Sequence, residues 1–186
     1  MKTKFLVTAA AALVAIPAAA SSAVTVIGNS AARLCFESAE AELPPQRDAI
    51  DRCNEALSDS ALSLGDTVAT HVNRGILRSR RDDIAGALAD FDRASALDPN
   101  EPEAYLNKGL VLAIKADQAR EALPLFTVAL ERKTKRPELA YFGRAAANED
   151  LGDLKSAYSD YQLAMTADPR WEAPRVELAR FSVRRR

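Results

Sequence analysis

Three times the chain sets an alanine, a large aromatic residue four positions on, and a second alanine three beyond that. The trios are Ala87-Phe91-Ala94, Ala122-Phe126-Ala129 and Ala157-Tyr161-Ala164. Steps of four and three keep all three side chains on one helical face. A small–large–small face is a shape for close helix packing, because the alanines admit a neighbour that the ring then wedges against. The first and third trios close on Asp-Pro, at Asp98-Pro99 and Asp168-Pro169. Those prolines lie 70 residues apart, two periods of about 34, so the chain is read first as an internal repeat.

Each trio sits in the second helix of a pair. In the first pair Ile84, Ala87, Leu88, Phe91, Ala94 and Leu97 form one apolar stripe, with Asp83 placed as N-cap. The preceding stretch, about 69–80, is a helix carrying Gly75, whose missing side chain lets the partner approach. Asn73-x-Gly75 recurs as Asn107-x-Gly109. Composition agrees: aromatics are only 6% and alanine is abundant, which favours helices over sheet. A formal net charge of −1 gives no footprint for nucleic acid.

The pattern resembles the tetratricopeptide (TPR) repeat family, in particular the bacterial exported variety that reads Asn-Arg-Gly in the first helix and Asp-Phe in the second. The resemblance covers about 68 to 171. The middle repeat departs from it by one extra residue, read between Asp117 and Ala122, and by a closing proline displaced to Pro137. The third has Ala145 where glycine is usual. The expected fold is all-α: an α-α superhelix of about three repeats, with a degenerate N-terminal helix pair and a C-terminal capping helix. The boundaries read as 24–67 for the degenerate pair and its joint, then 68–101, 102–136 and 137–171 for the repeats. Residues 172–186 remain for a capping helix and basic tail.

The first 23 residues differ in kind. Lys2 and Lys4 precede an apolar run from Phe5 to Ala20, and small residues follow at Ala18, Ala20, Ser21 and Ala23. This is the layout of a secretory signal peptide, cleaved after Ala20 or after Ala23. The run is shorter than the roughly 20 residues of a membrane span and is interrupted by Pro17. The mature chain is expected to be exported, periplasmic or secreted, with no integral membrane span.

Cys35 and Cys53 are the two cysteines. In an exported chain they are expected to form a disulfide across the degenerate pair, where Cys53 replaces the aromatic of the trio at Ala49 and Ala56. The alternatives are free buried thiols or a redox pair, the latter lacking C-x-x-C spacing. His71 is the single histidine and has no ligand cluster around it, so it is read as packing or surface and no metal is predicted. Arg74, Lys108 and Arg144 recur at one repeat position. Asp90 and Asp160 recur opposite the two arginines, where the middle repeat has Leu125. The reading is an ion pair within each repeat, against a basic ladder for an acidic ligand. Arg184, Arg185 and Arg186 are read as a solvated tail. No nucleophile motif or phosphate-binding loop is present in the sequence, and neither an enzyme nor a cofactor is expected.

The resemblance implies that the first helix of each pair lines a concave groove. Carried over by position, the groove residues are Val72, Ile76 and Arg80, then Leu106, Leu110 and Ile114, then Phe142, Ala146 and Asp150. Asn73 and Asn107 match in part the asparagines of relatives that clamp a terminal carboxylate, but the lysines of that clamp are missing. The expected function is a protein–protein interaction module of the cell envelope that binds a peptide or protein segment in the groove. The alternative is an envelope structural protein that self-associates.

Overall fold

The structure, a computed structural model, describes residues 4–7, 22–28, 30–41, 48–115 and 117–184. Among them nine helices stack in neighbouring pairs. The first pair is α1 (Ser30–Glu40) with α2 (Ala49–Ser58), and the second is α3 (Leu64–Arg80) with α4 (Ile84–Leu97). Then come α5 (Pro102–Lys115) with α6 (Ala119–Glu131), and α7 (Pro137–Asp150) with α8 (Leu154–Ala167). A last short helix, α9 (Ala173–Ala179), docks on α8. A four-residue ribbon accompanies the stack: β1 (Lys4–Val7) pairs antiparallel with β2 (Phe181–Arg184), Lys4 facing Arg184 and Val7 facing Phe181.

The trios do what their sizes dictate. Ala87, Ala94, Ala122, Ala129, Ala157 and Ala164 are wholly buried, and Phe91, Phe126 and Tyr161 fill the space between them. A Cβ added at Gly75 would stand 2.5 Å from the Phe91 ring, and one at Gly109 would stand 2.9 Å from Phe126. Gly143 serves the joint between repeats instead, its backbone lying against the same Phe126 ring. Turn chemistry repeats too. Asp83 and Asp153 cap their helices by accepting from the backbone N–H groups of Gly86 and Ser156. Asp82, Asp117 and Gly152, one in the turn within each of the three repeats, take left-handed backbone at φ 59°, 53° and 80°.

The structure corrects the sequence reading in two places. The extra residue of the middle repeat lies before Asp117, not after it. The N–H of Gln118 reaches back to Leu112 O, whereas the matching bonds in the neighbouring repeats run from Asp83 to Arg78 and from Asp153 to Asn148. The turn between Leu112 and Gln118 therefore holds one residue more. Second, the terminal helix ends at Ala179 rather than running on through 181–184. Phe181 is buried against Tyr158 and Tyr161, with ring centroids 5.7 and 6.0 Å apart. That position is reached by extended chain, and Phe181-Ser182-Val183-Arg184 alternates as a strand does. Arg185 and Arg186 lie outside the described residues. So do residues 8–20, most of the segment read as a signal peptide.

Cys35 and Cys53 form a disulfide between α1 and α2, with Cα atoms 5.0 Å apart. Both cysteines are fully buried, beside Ala32, Ala49 and Ala56. The bridge stands where the other repeats have a ring, and α1 and α2 both pack on α3.

Candidate functional site

Before α1, Ser22 to Ile27 form neither helix nor strand, their burial alternates as in an extended segment, and the chain bends at Gly28. This strap crosses α5 and α3 on the side of the stack away from the second helices. Helical geometry fixes that side. Gly75, Arg74 and Arg78 of α3 face α4, whereas Asp66, Asn73 and Arg80, spaced by seven, share the opposite, inner face.

All three of these inner residues hold main chain. Asn73 accepts from the Val24 N–H at 2.8 Å and donates to the Val24 carbonyl at 2.7 Å. Asn107, one repeat on, accepts from the Ser22 N–H at 3.3 Å and donates to the Ser22 carbonyl at 3.0 Å. Asp66 accepts from the Ile27 N–H at 2.9 Å. Arg80 donates to the Ala41 and Ser38 carbonyls at the end of α1, a helix terminus that favours a cation. Side chains along the strap alternate: Ser22, Val24 and Val26 are buried, whereas Thr25 is exposed and Ile27 is 93% exposed.

The residues carried over as groove positions divide by depth. Val72 and Ile76 are buried in one cluster with the strap's Val24 and Val26 and with Ala31, Ala32 and Cys35 of α1. Leu106 and Leu110 are buried with Phe126, Leu139 and Ala140. Phe142 is buried edge-on to Tyr161, with the Trp171 ring 4.8 Å away. Ala146 is half-buried, Asp150 is exposed, and Ile114 is 49% exposed. Partial desolvation, with Glu149 and Asp117 beside it, raises the Asp150 pKa. So Ile114, Ala146 and Asp150 reach solvent, while the buried positions make the floor under the strap and between repeats. The strap itself escaped the sequence reading. The signal available was its Ser-x-Val-x-Val alternation beside two asparagines one repeat apart.

The recurring charges are partners within repeats. Asp90, almost fully buried, accepts three bonds from the Arg74 guanidinium, another from Arg78 at 2.8 Å, and lies 3.0 Å from His71 Nδ1. Burial pushes its carboxyl upward, but His71, Arg74 and Arg78 outweigh that and hold it below its usual range. Asp160 takes a fork of two 2.8 Å bonds from Arg144. Lys108, opposite Leu125, turns to Asp92 of α4 instead. Among the described residues no three His, Cys, Asp or Glu side chains gather as a metal site would require, and no helix is long and apolar enough to cross a membrane.

No known family's sequence profile matches the chain, and no curated protein is significantly similar to it. Its likeness to solved structures is in shape. The Arabidopsis OM64 TPR domain superposes with a TM-score of 0.60 at 19% identity, over 63% of this chain and 96% of that one. The MamA RS-1 ArsTM double mutant superposes with a TM-score of 0.64 at 22% identity, over 81% of this chain and 82% of that one. With its helix pairs, its small–large–small faces and these neighbours, the chain has the TPR fold.

Proposed function

We propose that this is a non-catalytic interaction module of the bacterial exported TPR type, which takes a peptide or protein segment on its inner face. One observation carries the reading: two asparagines, one per repeat, already grip extended main chain there. Solenoids use such faces because each repeat adds one more contact in register. The exported, periplasmic location is part of the same proposal, with cleavage after Ala20, which leaves Ser22 on the mature chain to meet Asn107. Its support is the signal-like N-terminus and a disulfide, which persists in oxidising compartments.

Affinity capture from a cell-envelope extract tests this. The bait is the full chain, beside an Ile114→Glu, Asp150→Lys variant that alters only solvent-reaching residues of the first helices. A protein retained by the first bait and lost from the second supports an inner-face module. Equal retention by both places binding elsewhere. Light scattering over a dilution series separates the alternative, since a self-associating structural protein grows in mass with concentration and a monomer does not.

A further inference from the structure

We propose that Ser22–Ile27 is a built-in occupant of the inner groove, and that the groove's external ligand is an extended segment of the same form. Such a ligand carries small or β-branched side chains inward at every second position, on main chain that Asn107 and Asn73 grip. The inference rests on the inner face being the interaction surface, and it names the ligand.

Three features of the strap argue for this. The carboxamides bond to backbone N–H and C=O groups, so they recognise extended chain whatever its sequence. They take alternate residues, Ser22 and Val24, as a strand presents them. Side-chain selection falls to the buried positions of Ser22, Val24 and Val26, because the outward Ile27 touches mainly water. The asparagines also cannot stand empty without cost. With the strap in place Asn73 is fully buried and Asn107 nearly so; without it Asn73 loses both bonds to Val24 and Asn107 keeps only its donation to the Glu103 carbonyl. The strap fills the seat in this structure, so an incoming segment must exchange with it. Removing the strap leaves α1 and α2 held by their disulfide, by Arg80 and by packing on α3, so exchange does not require the repeats to unfold.

The probe is a fluorescein-labelled peptide of residues 21–28, SSAVTVIG, titrated by polarisation against the full chain and a full-length Val24→Asp, Val26→Asp variant. The variant unseats the strap by charging its inward positions. Because apparent affinity scales with the fraction of open groove, the variant should bind at least about tenfold tighter than the unaltered chain. Adding Asn73→Ala and Asn107→Ala to it should abolish binding, and a scrambled peptide should not bind. Should the double aspartate fail to fold by circular dichroism, Val24→Pro replaces it, since it removes the N–H that Asn73 accepts. Equal affinity for both chains overturns the built-in occupant. No binding to a folded, unseated variant overturns the ligand class. A partner captured through Ile114 and Asp150 alongside a peptide that does not bind would sink this inference and leave the interaction module standing. Peptide binding without a captured partner would uphold both the ligand class and the inner face as the interaction surface.

Discussion

The Asn73 carboxamide makes both backbone hydrogen bonds of Val24, at 2.8 and 2.7 Å, across 49 residues of sequence. Asn107 repeats the arrangement on Ser22. The stack therefore carries on its inner face a two-rung device for holding main chain. The third rung is closed sterically. Counting back from Asp168-Pro169, as from Asp98-Pro99 to Asn73, places Gly143 at the Asn73 position, and a Cβ there would stand 2.5 Å from the Phe126 ring.

Asn73→Ala leaves the Val24 N–H and C=O without partners in a buried place. The expected loss is about 2 kcal/mol in denaturant unfolding. Amide hydrogen exchange at Val24 should quicken, while exchange at Phe91 and Phe126 stays slow. Uniform quickening would mean the strap and the repeats open as one unit.

Cys35→Ser with Cys53→Ser removes the constraint on an 18-residue separation. The chain-entropy relation gives a loss of about 3 kcal/mol. A reducing agent should lower the thermal midpoint of the unaltered chain and leave that of the double variant in place. The effect should fall first on α1 and α2, whose interior has the bridge in place of an aromatic ring.

Asp90→Asn leaves Arg74 and Arg78 facing a neutral group. The expected cost is about 2–3 kcal/mol at neutral pH, below that of a fully buried pair because both arginines still touch solvent. The pH dependence has a definite sign. The folded chain holds the Asp90 carboxyl below its ordinary value, so its contribution is complete above the unfolded pKa of about 4 and is lost as pH falls through the folded value. The stability gap between Asp90→Asn and the unaltered chain should therefore narrow on acidification. A constant gap from neutral to strongly acidic pH would show that the carboxylate charge is not what matters.

Two glycines should respond oppositely to alanine. At Gly75 the new methyl would meet the Phe91 ring, itself locked between Ala87 and Ala94, and overpacking costs about 1–3 kcal/mol. At Gly65, in the first turn of α3, nothing lies within 4 Å of the added carbon. There the substitution should raise stability by about 0.5–1 kcal/mol by restricting the unfolded chain. Thermal midpoints of the two variants check both signs together.

The ion pairs show how far repeat spacing alone carries an inference. Arg74 with Asp90 and Arg144 with Asp160 could be read from recurrence, because each pair joins two helices whose mutual register the glycine and alanine faces already set. The partners of Lys108 and Arg80 could not. Lys108 crosses to Asp92 of the preceding repeat, and Arg80 reaches the end of α1. Both depend on how pairs stack, which no spacing within a pair encodes. For the same reason several residues carried over as groove positions turn out to be floor. The sequence marks them as first-helix residues, and only stacking decides which of those are covered.

What the sequence determined by itself is local: helix periods, caps, the small–large–small faces, the count of repeats and the cysteines that close the first pair. These follow from spacing of three and four along one helix and from the sizes that nest between two. The tertiary structure decided what lies on the inner face. Asn73 and Asn107 are 34 residues apart, and the main chain they hold lies 49 and 85 residues away from them. Those groups meet only once the stack exists, because packing buries the two carboxamides and burial drives them to find partners. The extended segment that reaches them supplies an N–H and a C=O to each, and that match settles where the strap lies.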